Sequence, residues 1–230
     1  MSGSPIAPPA IASPVSPLQL TATAPLEGID VSHHQGRLDW SGVSGIDFVY
    51  MKASEGVRFA DPCFAANWAG TGGQRLLRGA YHFFRPQQEA EAQAWHFLQV
   101  VGKLQPGDLP PALDLEPTSL AGEWVELLPA ERIARVLQWL EAVKQGSGRR
   151  PLIYVSPAFW RDVLGGSVAL SAFPLWIAEY EVMQPRVPPA WPTWTFWQYS
   201  QAGRVAGVAA NVDRNRFHGT RTELETLATS

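Results

Sequence analysis

The sequence predicts an α/β protein in a single domain, built as an irregular eight-stranded barrel. Three observations carry this reading. Eight short stretches are rich in β-branched and aromatic residues, helical patterns separate several of the earlier ones, and a proline-rich tail leaves no room for helices between the last.

The strands follow in order from Gly28: GIDVS (28–32), IDFVYMKAS (46–54), RGAYHFF (78–84), PPALDLE (110–116), PLIYVS (151–156), FPLWIAEY (173–180), WTFWQYS (194–200) and NVDRNRF (211–217). Gly, Pro and Ser bound most of them. The clearest helix runs from Ala130 to Gln145, where Ile133, Val136, Leu137, Leu140 and Val143 form one stripe between Pro129 and Gly146. A second runs from Gln87 to Val101 and stops at Gly102. Strands alternating with helices predict parallel βαβ units. Pro185, Pro188, Pro189 and Pro192 exclude a helix between Tyr180 and Trp194, and the link over 201–210 is too short and Gly-rich for a full crossover. The count is therefore five strand–helix units, then three strands joined by loops.

Composition narrows the function. The chain has 230 residues and a net charge of −3, so no basic face for nucleic acid is implied. No stretch is long and apolar enough to span a membrane. Cys63 is the sole cysteine and reads as a small hydrophobe. Ten tryptophans are many for this length, and their flat faces suit core packing and sugar stacking alike. Residues 1–27 hold six prolines and no Lys or Arg. They read as an extended, disordered leader or linker rather than a signal peptide, ahead of a catalytic barrel over 28–230.

The apolar run LPPALDLEP ends in two acids, Asp114 and Glu116. Burying an unpaired carboxylate costs several kcal/mol or shifts its pKa, so the pair demands a reason. In a parallel barrel, functional side chains project from the C-terminal strand ends, and residues i and i+2 share a face. Asp114 and Glu116 should then point together into the mouth. Asp30 on the first strand and Asp213 on the last hold comparable positions, and those two strands are neighbours in a closed barrel. Four acids ringing one cavity would raise one another's pKa, which keeps a carboxyl protonated near neutrality.

Taken in order, GIDVSHHQG, LDW (38–40), FVYMKASEG (48–56), DPCFAANW (61–68), RGAYHFFRP (78–86), PALDLE, PLIYVS, PLWIAEY, FWQYS and NVDRNRF resemble glycoside hydrolase family 25, the N-acetylmuramidases of the Chalaropsis-lysozyme type. The resemblance covers Gly28 to about Gly219. It implies a TIM-like (β/α)5(β)3 barrel and hydrolysis of the β-1,4 bond between N-acetylmuramic acid and N-acetylglucosamine in peptidoglycan. By motif it implies that Glu116 is the general acid, Asp114 the first acid of a D-x-E pair, and Asp30 and Asp213 two further active-site aspartates. One departure stands out: the family commonly has an aromatic after SH, where this chain has His33-His34.

Other residues carry two readings. Tyr81, Tyr154, Trp176 and Trp197 sit in or near strand ends and could be sugar platforms, hydroxyl donors or barrel packing. Lys52 and Glu55 follow the second strand into the mouth, for which the resemblance favours a substrate or network role. His82, like His33 and His34, lacks a local ligand spacing and reads as a satisfied polar group near the core. No metal or cofactor is expected, and the protein is expected to be a monomer. Two rivals stay open: a non-catalytic glycan-binding module, and a phosphoesterase whose clustered acids hold a divalent cation.

The D-x-E spacing favours the close carboxyl separation of retaining enzymes (about 5–5.5 Å) over the wide one of inverting enzymes (about 6.5–9.5 Å). The substrate's own 2-acetamido group would serve as nucleophile. A chain of this kind acts in the periplasm or outside the cell. Without a signal peptide, its expected route is a phage holin or a contact-dependent secretion machine, the latter with an immunity protein guarding the producer; the alternative is a native signal that has been trimmed away.

Overall fold

The apolar stretches pair edge to edge around a closed lumen. The computed structural model describes residues 24–72, 76–118 and 122–229, so the leader expected over 1–27 lies outside the described residues as far as residue 23. Its last residues, Leu26 and Glu27, already belong to the first strand. The strands are β1 (Leu26–Val31), β2 (Phe48–Glu55), β3 (Phe59–Ala60), β4 (Leu77–Phe83), β5 (Ala112–Leu115), β6 (Leu152–Val155), β7 (Leu175–Ala178), β8 (Phe196–Gly203) and β9 (Val212–Phe217). β3 only folds back on β2 as a hairpin. The other eight close the barrel in the order β1-β2-β4-β5-β6-β7-β8-β9, and β9 returns to β1. All neighbours are parallel except β9, which runs antiparallel to both β8 and β1.

The crossovers follow the expected scheme. A short 3₁₀ turn, Trp40–Gly42, links β1 to β2, and helices α1 (Phe64–Gly70), α2 (Ala90–Val101), α3 (Pro129–Ser147) and α4 (Pro157–Asp162) serve the next four. Prolines confine the β7–β8 link to a loop. α3 opens with Pro129, and the Glu131 carboxylate accepts the Leu128 N–H at 2.9 Å. It does not stop at Gly146. The helix runs to Ser147 and ends at Gly148, whose φ of 69° is the left-handed conformation of a C-terminal cap. Gly146 instead allows close packing on α2: a Cβ there would stand 2.4 Å from the Leu98 side chain.

Strand alternation sorts the side chains into two cores. Val49, Met51, Leu113, Leu115, Ile153, Val155, Leu175 and Ile177 point outward and meet Phe97 of α2 and Val136, Trp139, Leu140 and Val143 of α3. Phe48, Tyr50, Ala112, Leu152, Trp176, Phe196 and Phe217 fill the lumen. The last helix, α5 (Arg221–Leu227), packs Leu224 beneath them, with Ala228 just after it. The lower lumen is therefore a dry, filled core, and only its upper end is open for chemistry.

Gly79 on β4 shows how full that core is. An added Cβ would stand 2.3 Å from the Tyr50 ring, which is fully buried and fixed by a 3.0 Å bond from its hydroxyl to the Pro110 carbonyl. Overpacking of this kind costs about 1–3 kcal/mol. Gly79→Ala should therefore lower the melting temperature by several degrees, given roughly 2–4 °C per kcal/mol at this size. A thermal melt with no shift would show that Tyr50 can move aside.

Candidate active site

At the open end the alternation continues with polar residues. The β1–β9 register sets Asp30 directly opposite Asp213. Like charges facing each other across a strand pair destabilise it, so the neighbours must compensate. They do so with amide donors. Asp30 Oδ2 accepts a 2.8 Å bond from Gln198 Nε2 and a 2.7 Å bond from Asn215 Nδ2. Both amides are oriented in turn: Trp176 Nε1 donates to Asn215 Oδ1 at 2.8 Å, and the Tyr154 hydroxyl donates to Gln198 Oε1 at 2.8 Å, joined there by the Tyr180 hydroxyl.

These contacts divide one proton unequally. Burial raises the pKa of both aspartates. The two amides favour the charged form of Asp30, and a hydrogen bond from Asp213 favours it further. Asp213, facing that charge and largely desolvated, is pushed up to about 8. Asp213 therefore keeps its proton up to about pH 8, while the two amides favour the charged form of Asp30.

Asp114 and Glu116 stand across the mouth. Asp114 is on β5 and Glu116 just past its end, and both project into the cavity that Asp30 and Asp213 line. Asp114 is 7% exposed, and its Oδ1 is buried with no hydrogen-bond partner. Burial, then the Glu116 charge, raises its pKa well above the carboxylate range. Burial, then the Asp30 charge, raises Glu116. Lys52 opposes the rise in both. The Glu116 backbone is anchored as well, because its carbonyl accepts a 3.0 Å bond from Trp124 Nε1.

The acid cavity encloses about 150 Å³, and Tyr81, Tyr154, Trp176 and Tyr180 form its aromatic wall. A second lobe of about 220 Å³ shares the acids and adds Ser32, His34, Lys52 and Phe83. The structure thus brings Asp30, Asp114, Glu116, Asp213, Tyr81, Tyr154, Trp176 and Lys52 together.

It does not bring Trp197 or Glu55 to this wall. Along β8, Phe196 and Gln198 point inward, so Trp197 points outward. Its indole is buried in the outer core and donates to the Glu179 carbonyl at 2.8 Å. Glu55 lies beyond Lys52, accepting from its Nζ at 2.6 Å and from the Arg85 guanidinium. Burial pushes the Glu55 carboxyl up, but Lys52 and Arg85 outweigh it and hold the pKa below its usual value.

The histidines divide as well. His82 is an outer-core residue: Ser54 Oγ and Gln93 Oε1 hold its ring nitrogens, Trp139 stacks on it, and burial lowers its pKa to about 3. His33 is tied to the buried Asp61 at 2.7 Å, whereas His34, at the position where the family resemblance breaks, lines the second lobe. Among the described residues no group of three or more His, Cys, Asp or Glu is arranged to hold a metal ion.

Gln198, Asn215, Tyr180 and Trp124 were not anticipated from the sequence. Asn215 does follow Asp213 at the same-face spacing, and Gln198 follows the inward Phe196, so alternation alone carried a signal for both.

A ring of raised-pKa carboxyls and aromatic walls at the C-terminal mouth of a barrel defines an acid–base glycoside hydrolase. The sequence matches the family description Glycosyl hydrolases family 25 over residues 29–208. It is 38% identical over 216 residues to protein YegX of Escherichia coli K12, covering 90% of this chain and 75% of that one. It is 37% identical over 212 residues to Lysozyme M1 of Streptomyces globisporus, covering 90% and 72%. The crystal structure of the bacterial lysozyme from Streptomyces coelicolor superposes with a TM-score of 0.86 at 37% identity, covering 90% of this chain and 98% of that one. The chain belongs to glycosyl hydrolases family 25.

The Asp213 proton has a measurable consequence. A carboxyl raised to about 8 in the folded state releases its proton near 4 when unfolded. Its contribution to stability is complete below about pH 4 and is lost as pH rises through about 8. Asp213→Asn removes that dependence. Melting curves from pH 5 to 9 should show the wild type losing ground to the variant by several degrees as pH rises. Parallel curves would place the shared proton elsewhere.

Proposed function

We propose that this enzyme is an N-acetylmuramidase, hydrolysing the β-1,4 bond between N-acetylmuramic acid and N-acetylglucosamine in peptidoglycan strands. The products would carry N-acetylmuramic acid at the reducing end. Family membership and the likeness to lysozymes support the substrate class. One observation supports the mechanism: the buried Oδ1 of Asp114, unpartnered among the described residues, beside Glu116, whose pKa burial raises.

An orphaned acceptor in a desolvated wall is costly unless a ligand supplies its donor. The N–H of the substrate's 2-acetamido group is such a donor, and its bond favours the carboxylate form of Asp114. The acetamido oxygen then attacks the anomeric carbon as the glycosidic C–O bond breaks. Glu116 gives its proton to the departing oxygen. The cyclic intermediate is positive at nitrogen, which the Asp114 carboxylate offsets. Water opens it, and Glu116 takes the proton that the water loses. Two displacements at one carbon leave its configuration retained. Asp30, whose charged form two amides favour, supplies the negative field, and Asp213 fixes the opposite wall beside it.

Glu116→Gln keeps the shape but cannot donate, so activity on isolated peptidoglycan should fall by about 10²–10⁴-fold with folding intact. Asp114→Asn should also lose most activity, while Asp30→Asn and Asp213→Asn lose less. More than about a tenth of wild-type activity in Glu116→Gln would exclude it as the acid. Proton NMR of the first-formed reducing end should show the β-anomer. An initial α-anomer would mean inversion and move the base role to Asp213 or Asp30.

A further inference from the structure

A larger groove, about 530 Å³, lies beside the acid cavity on its β2–β4 side. That volume is within the range of ligand pockets, about 300–1,000 Å³. Phe59 and Arg58 of the β2–β3 hairpin line one side of it, and Arg85 and Gln88, which follow β4, line the other. One ion pair bridges the two spaces. Lys52 faces the acids in the second lobe, and its partner Glu55 faces the groove.

The groove is built in advance of any ligand. The Gly56 N–H bonds the Phe83 carbonyl at 3.2 Å, the Val57 N–H bonds Gln88 Oε1 at 2.7 Å, and His96 Nε2 meets the Phe59 carbonyl at 3.1 Å. These bonds fix the hairpin although its tip is exposed. Phe59 presents an apolar ring that is 40% exposed.

Charge separates the two spaces further. The acid cavity carries four carboxyls and would repel an anion. In the groove, Glu55 is engaged by Lys52 and Arg85, and Glu123 by Arg85. Both lining carboxylates are thus taken by other cations, and Arg58, with no carboxylate partner among the described residues, is the lining cation left to meet an anion.

A muramidase substrate has the same division. Its N-acetylated sugars are neutral, whereas the peptide arm on the lactyl ether of the muramic acid carries carboxylates. We propose that the hairpin groove receives this peptide arm, an anionic oligopeptide, with Arg58 pairing a peptide carboxylate and Phe59 covering its apolar side. The proposal rests on the muramidase reading and adds a preference: glycan strands that carry peptides are cut faster than bare ones.

The test compares wild type, Arg58→Ala and Phe59→Ala on two substrates, peptide-bearing glycan strands and the same strands stripped of peptide by an amidase. Released reducing ends give kcat/KM. Arg58→Ala should lose about tenfold on peptide-bearing strands, the size of one charge-assisted hydrogen bond. It should change less than about twofold on stripped strands, and Arg58→Lys should recover most of the loss. Phe59→Ala should show the same selectivity with a smaller loss. Equal losses on both substrates would mean that the groove holds sugar, and no loss on either would mean that it holds nothing; both overturn the proposal. A wild type that releases no reducing ends from either substrate would instead overturn the muramidase reading, and this proposal with it.

Discussion

The open end of the barrel depends on one buried carboxylate. Asp30 faces another aspartate across a strand pair, and its charged form is favoured by Gln198 and Asn215, which each donate to the same oxygen. Those amides are held by Trp176, Tyr154 and Tyr180. A single hydrogen-bonded web therefore spans β1, β6, β7, β8 and β9. Low local dielectric strengthens each bond in such a web and makes each missing one costly. The web thus fixes where the acids stand and how their protons are divided.

The opposite wall is treated differently. Among the described residues Asp114 Oδ1 has no donor, and Lys52 moderates the charge of Asp114 and Glu116. Lys52 is held back by Glu55 rather than pairing with either acid. One side of the mouth is tied by hydrogen bonds, and the other keeps an unmet acceptor beside a carboxyl whose pKa burial raises. Pushing titratable groups apart by environment is how carboxyls of one cavity take different roles. It also concentrates unfavourable energy at the mouth, which the filled lumen below must offset.

Much of this was legible in the sequence because it rests on short-range rules. The i, i+2 spacing of Asp114 and Glu116, and the closure of first strand on last, follow from alternation and barrel topology. Proline placement gave the change from helical crossovers to loops. What was hidden depends on register between distant strands. Asn215 and Gln198 became visible as ligands of Asp30 only once β9 and then β8 were set against β1, at sequence separations of 185 and 168. Trp197 stayed undecided between platform and packing because aromatics occupy both faces of β8, so composition could not say which one turned inward. Gly146 misled for a related reason: a glycine inside a helix can serve a neighbouring helix as well as end its own, and only the contact with Leu98 tells the two apart.

The antiparallel return of β9 gives the molecule an order of assembly. Seven of its eight barrel strands can line up as the chain emerges, yet β1 and β8 keep open edges until β9 arrives between them. The ion pair from Glu27 to Arg214 closes a loop of 187 residues, among the most distant contacts the chain makes. Such closure is slow because its entropy must be spent before the pairing rewards it. Asp213 and Asn215 lie on that final strand. Asp30 therefore cannot face Asp213 or receive the Asn215 amide before β9 pairs with β1, and a chain without β9 holds Asp30, Asp114 and Glu116 but not those two partners.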